Sequence, residues 1–406
     1  MGTSSVLDLQ MQEPEWLLYH TFLDTLVISI NIAMMRRKMR ILVVTKYYHP
    51  VIGGVETLVR TLAERHVLAG HQCTVVCMDL LKDSDEVING VHVIRFRRHG
   101  LARTGIHLGM REWLVRNATP DNFDIVNIHN FHSPLALMAA FYCRSQGLPF
   151  VFTTHYHGHG QNRKRDLLFR FYRVYGANIY RWSEKNICVS NFEKNLVQND
   201  FHLLDDRIAI VPNGGLDLQK VEVPREGSIL YVGRLVKYKG VDHILSAMSI
   251  LKDQGKTVRL RIVGTGPEKE SLVRSAHDLG LDGQVEWLEG VSDEQLNVEY
   301  HKASVLVLLS ALEAYGLVIA EALKSGTPCI VARTSALTEF TSEPGCLGVE
   351  YPPNAKEVAA LIENAIGGGI KVGPLSDKLI SWQQVSERYL DIYKDAIDGY
   401  RARINE

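Results

Sequence analysis

Glu313 and Glu321 bracket the segment Glu313-Ala314-Tyr315-Gly316-Leu317-Val318-Ile319-Ala320-Glu321, with an apolar run before it and Gly326-Thr327-Pro328 behind it. The first carboxylate falls in a strand-to-helix loop. The second falls inside an otherwise apolar helix, where a charge is costly unless something polar meets it. Gly316 opens that helix, and the free N–H groups of a helix N-terminus attract phosphate. The segment therefore reads as a holder of a phosphorylated, hydroxyl-rich ligand, and a sugar nucleotide fits that description. The plainer reading of Glu313 is a carboxylate capping its own helix. That reading is weaker for Glu321, which sits among Leu317, Ala320, Ala322 and Leu323.

Such groups must be positioned by a scaffold, and the chain supplies one. From Arg40 onward, short runs rich in Val, Ile and Leu alternate with helical stretches, the pattern of a parallel sheet covered by helices. Strands are predicted at 40–46, 73–78, 91–97, 125–129, 150–154, 187–190 and 208–211, then at 228–233, 258–263, 285–288, 304–309 and 328–332. Two doubly wound Rossmann-like halves of an α/β protein result, and 406 residues fit two domains of roughly 150 to 200 residues. Asn213-Gly214-Gly215 and the polar stretch Lys220 to Gly227 read as the connection between them.

The unusual polar groups cluster where these strands end, which is where open α/β sheets bind ligands. Gly53-Gly54-Val55-Glu56, His129 and Thr154-His155 do so in the first half; Gly233-Arg234, Gly264-Thr265-Gly266, Gly290 and Glu313 do so in the second. Gly53 and Gly54 let a backbone loop approach a diphosphate, although a simple turn is an equal reading, and the loop lacks the dinucleotide fingerprint. Arg234 and Lys239 would stabilise negative charge on a departing nucleoside diphosphate. Lys237, between them, reads as solvated. His155-x-His157-x-His159 invites a metal reading, yet no carboxylate or cysteine lies close in sequence. Asp83-Ser84-Asp85 reads as a polar, solvated loop.

The ordered set Gly53-Gly54-Val55-Glu56, Val211-Pro212-Asn213-Gly214, Val232-Gly233-Arg234-Leu235 with Lys239-Gly240, Gly264-Thr265-Gly266-Pro267 and Glu313 to Glu321 resembles the family-4 retaining glycosyltransferases of the GT-B fold. Trp382 before a final helix also resembles the family's ending, where the chain crosses back onto the first domain. The resemblance covers essentially all of residues 39 to 398. It implies a first domain over 39–218, completed by a C-terminal helix at 385–406, that holds the acceptor. It implies a second domain over 219–384 that holds the donor, with residues 1–38 as a leader or an upstream-start extension.

On the same grounds the resemblance implies catalytic roles for His155, Arg234, Lys239 and Glu313. It implies donor contacts at Gly53, Gly54, Gly233, Gly264, Gly266, Val291, Tyr315, Gly316, Leu317 and Glu321, and acceptor contacts at His129 and His157. The implied reaction transfers a sugar from a nucleotide-diphosphate sugar to a hydroxyl with retention of configuration, with no metal and no tightly bound cofactor. One departure stands out: where many relatives carry Gly-Gly before a glutamate, this chain has Ser335-Ala336 before Thr338-Glu339. That bears on a backbone contact to the donor and on donor identity.

Composition bounds the partners. With 45 basic and 46 acidic residues the chain has no global bias toward nucleic acid, and none is expected as a partner. Six scattered cysteines, four of them in apolar runs, fit a reduced, cytoplasmic setting; Cys73 and Cys77 lack nearby histidine ligands for a metal. The span Trp16 to Met35 is mainly apolar but carries His20 and Asp24, which argues against a membrane helix and leaves a signal-anchor as the lesser alternative. Arg95 to Arg116 and Gln161 to Lys185 are rich in basic residues, the latter interleaved with aromatics. Such a helix suits either an anionic membrane surface, with a lipid-linked acceptor and a peripheral location at the inner membrane face, or ordinary packing on the sheet with arginines in water. A glycan acceptor is the other candidate. The rival classes are a sugar-nucleotide epimerase, a phosphorylase, and a catalytically silent carbohydrate-binding or membrane scaffold.

Overall fold

The computed structural model describes residues 38–51, 53–79, 82–97, 107–158, 163–215 and 221–406, with the side chains of 163–171 left undescribed. The chain divides into two units, Met1–Met39 and Arg40–Glu406, and all that follows concerns the second. The apolar span at 16–35 lies outside the described residues; among those described, no helix is long and apolar enough to cross a membrane.

The first half runs β1 (Arg40–Val44), α1 (Gly54–Leu68), β2 (Gln72–Asp79), β3 (Ser84–Ile88), β4 (Val91–Arg97), α2 (Leu108–Asn117), β5 (Ile125–His129), α3 (Pro134–Ser145), β6 (Phe150–Thr153), α4 (Arg163–Trp182), β7 (Lys185–Cys188), α5 (Asn191–Phe201) and β8 (Ile208–Ile210). Its strands form an eight-stranded sheet in the order β3-β4-β2-β1-β5-β6-β7-β8. Every pairing is parallel except β3 with β4. The second half runs β9 (Ser228–Val232), α6 (Val241–Asp253), β10 (Arg259–Val263), α7 (Lys269–Asp278), β11 (Val285–Leu288), α8 (Asp293–Lys302), β12 (Val305–Leu308), α9 (Leu317–Lys324), β13 (Cys329–Ala332), α10 (Leu337–Phe340), β14 (Cys346–Val349) and α11 (Ala355–Ile366). Here the order is β11-β10-β9-β12-β13-β14, all parallel.

Central strands such as Val305–Leu308 and Cys329–Ala332 are buried throughout, because helices cover both faces of the sheet. Each half closes around its own apolar core.

Two strands escape the sequence reading. β14 follows a loop and is only four residues long. β3 is an edge strand whose Asp85, Glu86 and Val87 are exposed, so it shows no apolar run. The Asp83-Ser84-Asp85 segment is thus not simply a solvated loop. Asp83 accepts a hydrogen bond from the Arg97 amide at 2.5 Å, and Asp85 meets His92 Nε2 at 2.6 Å.

The last helix, α12 (Trp382–Asn405), starts at a capping box of Ser381 and Gln384 and packs on the first sheet. Tyr393 Oη accepts from Asn127 Nδ2 at 2.8 Å, and Tyr393 meets the buried His66 ring edge-on. Gly214 must be glycine for this crossing, since a Cβ there would lie 2.7 Å from the Trp382 amide nitrogen.

Candidate active site

In each half, polar groups gather at the carboxyl ends of the parallel strands. In the second half, the loop after β9 makes a 3-10 turn at Lys237–Lys239, which aims Lys239 at the loop after β12. Lys239 Nζ lies 2.5 Å from Glu313 Oε1, with about one seventh of each side chain exposed (15% and 14%). Glu313 is fixed by its backbone as well: its N–H donates to Ser335 Oγ at 2.8 Å and its carbonyl accepts from Ala336 N at 3.3 Å. Ser335 and Ala336, the departure from the family's Gly-Gly, therefore hold the Glu313 loop.

Arg234 is exposed, and its guanidinium donates to Tyr238 Oη at 3.0 Å on the same loop as Lys239. Lys237 points elsewhere, to Asp242. Glu321 is buried and accepts from Tyr300 Oη at 2.6 Å. Its side chain lies near Gly215, where a Cβ would come within 3.5 Å of Glu321 Cγ. Gly316 has φ 111° and caps α9, a conformation that favours glycine. Leu317 is the first residue of that helix, half-buried, and Tyr315 is buried edge-on to Phe340. The Tyr315 hydroxyl has no hydrogen-bond partner among the described residues.

The glycines divide by what surrounds them. A Cβ on Gly264 would sit 1.9 Å from the Gly233 carbonyl oxygen, and one on Gly266 would sit 2.2 Å from that of Leu235. These glycines let two loops pack backbone to backbone. Gly233 itself donates to Val263 O at 3.0 Å. Val291, in the loop after β11, packs against the second core. In the first half, the space a Gly53 side chain would take is filled by the Glu56 carboxylate, whereas Gly54 has open space. Burial raises the pKa of Glu56, opposed by its own backbone N–H and then by the charges of Arg234 and Lys46. Glu56 and Arg234 thus feel each other across the two halves.

His129 ends β5, and His155 lies two residues past β6 with φ 47°, a left-handed conformation sparsely populated by non-glycine residues. Their rings stack, with His129 Nδ1 3.2 Å from His155 Nε2. Burial, with a lesser push from His157, lowers His155 to about 4. Burial, then His155, holds His129 well below its ordinary value. Both imidazoles are neutral at pH 7, so one donates to the other. His157 stacks on His132 instead, with ring centroids 3.9 Å apart. His159 lies outside the described residues. Among the described residues, no group of three or more His, Cys, Asp or Glu is placed to hold a metal ion.

The backbone on either side of His155 is held by a residue that the sequence reading missed. Glu193, wholly buried in α5, accepts from Tyr156 N at 2.5 Å, from Val189 N at 2.7 Å and from Thr154 Oγ1. Burial raises its pKa to about 7, against the lowering by these donors. The signal was legible as Ser190-Asn191-Phe192-Glu193, a capping-box spacing. Ser190 does cap Glu193 N, but the carboxylate turns inward instead of back to its cap.

Of the basic stretches, 98–106 lie outside the described residues. Arg95 is not a surface cation: it is buried beside Asp79 and Glu86. In α4, Tyr180 is core and Tyr172 donates to Ser133 O, while Val174 and Tyr175 are exposed.

Comparison with known proteins bears on the family and the fold. The sequence model of Glycosyltransferase Family 4 matches residues 52–215, and that of Glycosyl transferases group 1 matches 218–378. An uncharacterized glycosyltransferase of Methanocaldococcus jannaschii is 26% identical over 392 residues, covering 89% of this chain and 99% of that protein. Among solved structures, sucrose-phosphate synthase from Thermosynechococcus elongatus superposes with a TM-score of 0.74 at 20% identity, covering 89% of this chain and all of that one. Anabaena HepE in complex with UDP-glucose superposes with a TM-score of 0.65 at 16% identity, covering 90% of this chain and 99% of that one. The fold is GT-B.

Proposed function

Because the chain belongs to the glycosyltransferases of family 4 and group 1, we propose that it transfers a hexosyl group from a nucleoside-diphosphate sugar to a hydroxyl acceptor with retention of configuration. The donor is a co-substrate, and no tightly bound cofactor takes part. The observation that carries this reading is the Lys239–Glu313 pair at 2.5 Å, flanked by Arg234 and followed directly by the N-terminus of α9. A diphosphate seated between Arg234, Lys239 and the first amides of α9 gains both fixed positive charge and N–H donors where charge develops as the glycosidic bond breaks. The complex of HepE with UDP-glucose supports a donor of this class.

Glu313, held by Lys239 and by Ser335, is placed to accept hydrogen bonds from sugar hydroxyls. Glu321 on α9, oriented by Tyr300, is the ribose partner. His155, neutral at pH 7, acts as a hydrogen-bonding group on the sugar, not as a cation. With Glu313 committed to Lys239, the chemistry that fits is a front-face path through an oxocarbenium-like ion pair, in which the leaving phosphate helps take the acceptor proton. Closure of the two halves excludes water and limits donor hydrolysis. The acceptor is a glycan or lipid-linked hydroxyl bound by the first half, where His129 and His157 stand.

The test is donor turnover by the purified full chain across UDP-, GDP- and ADP-sugars, beside Arg234→Ala. Slow hydrolysis of one donor, lowered in the variant, is expected. Neither turnover nor nucleotide binding with any of the three would refute the proposal and favour a silent scaffold.

A further inference from the structure

The two halves meet through a polar contact that the transfer chemistry does not use. Glu339, on α10 of the second half, accepts from Phe192 N at 2.8 Å, Asn191 Nδ2 at 3.0 Å and Asn191 N at 3.3 Å. Those amides open α5 of the first half, an N-terminus that favours a carboxylate. Beside it, Ser190 Oγ donates to the carbonyl of Ala314 at 2.7 Å.

Each side of this contact continues into the proposed site. On the second half, Ala314 follows Glu313, and Glu313 is bonded to Ser335 and Ala336, just ahead of α10. On the first half, Ser190 caps α5 and accepts from Glu193 N at 3.1 Å, while the Glu193 carboxylate holds Thr154 and Tyr156 on either side of His155. Hydrogen bonds joined by short runs of backbone therefore link Lys239–Glu313, through Glu339 and Glu193, to the His129–His155 pair.

We propose that Glu339 is a positioning residue: its clasp on the α5 N-terminus sets the register of the two halves, so that His155 faces the sugar held at Glu313. This deepens the transfer reading and rests on it. A clasp made of hydrogen bonds that water can replace opens and closes readily, as a domain contact remade at every turnover must. Glu339 acts through other residues and touches no substrate atom.

The test uses the full chain with Glu339→Ala, Glu339→Gln and Asn191→Ala, and two independent readouts. The first is amide hydrogen exchange across 189–197, with and without UDP, GDP and ADP. Exchange there is expected to quicken roughly ten-fold or more in Glu339→Ala, with Glu339→Gln intermediate. The second is donor turnover with nucleotide affinity measured alongside: kcat falls about ten-fold while nucleotide Kd stays within about two-fold, since all the proposed nucleotide contacts but the Gly53-Gly54 loop lie in the second half. Asn191→Ala should give a smaller loss of the same kind. Unchanged protection in Glu339→Ala would overturn the clasp. Lost protection with unchanged kcat would overturn its positioning role. Wild-type protein that neither turns over nor binds any donor would instead remove the transfer reading, and the coupling with it, while the exchange data still reported on the clasp.

Discussion

Acid should destabilise this protein through its buried histidines, and His66 offers a clean measure because it lies away from the proposed site, against α12. Burial lowers His66 from 6.5 to about 3, and His155 to about 4. A depressed folded-state pKa contributes stability that is present above 6.5 and is lost as pH falls toward the folded value. Taking pH from 7.5 to 5.0 therefore removes about 2 kcal/mol at His66 and about 2 kcal/mol at His155. Glu193 works the other way. Its folded pKa is raised from 4.5 to about 7, so its contribution is fully present below 4.5 and is lost as pH rises through 7. Over the same interval it returns roughly 2 kcal/mol.

Two histidines outweigh one glutamate, and His129 and His132, also lowered chiefly by burial, add to the loss. The expected net loss is several kcal/mol, a large share of an ordinary domain's stability. Urea unfolding followed by circular dichroism at pH 7.5 and 5.0, for wild type and His66→Leu, isolates one group. Any packing change in the variant is the same at both pH values and cancels. The variant should lose about 2 kcal/mol less on acidification than wild type. Equal losses in the two proteins would refute the claim that burial keeps the His66 imidazole neutral.

Four other outcomes are expected. Lys239→Ala leaves the mostly buried Glu313 carboxylate without its cation, and should lower kcat/KM for donor turnover by roughly 10² to 10³; a change confined to KM would assign Lys239 to binding alone. Gly264→Ala should fail to fold or melt far lower, because its Cβ would lie 1.9 Å from a backbone oxygen at φ 150°. Gly54→Ala, with open space around it, should melt within a degree or two of wild type and lose donor affinity; unchanged affinity would remove that loop from the donor site. Tyr300→Phe strips one partner from buried Glu321 and should cost about 1–3 kcal/mol in urea unfolding, with a rise in donor KM if Glu321 serves the ribose.

Much of this molecule could be read from the chain. The runs 304–309 and 328–332 contain β12 and β13, because a parallel sheet covered on both faces demands continuous apolar residues. The polar groups at strand ends could be placed for the same reason: strand direction decides which end faces a ligand. The exposed edge strand β3 could not be read, since a polar edge carries no apolar period. Nor could the reason for Gly264 and Gly266 be read, because glycine that admits a phosphate and glycine that admits another backbone look alike in a sequence.

What the amino-acid order determined was local: apolar period, caps, turns and the ordered glycine and carboxylate motifs. What tertiary structure decided was which distant groups meet. His129 and His155 are 26 residues apart, Thr154 and Glu193 are 39 apart, and Phe192 and Glu339 are 147 apart. Neither periodicity nor propensity encodes such pairings. They exist because parallel strands, each reached by a crossover helix, deliver their carboxyl ends to one edge, where side chains from separate segments complete one another's hydrogen bonds.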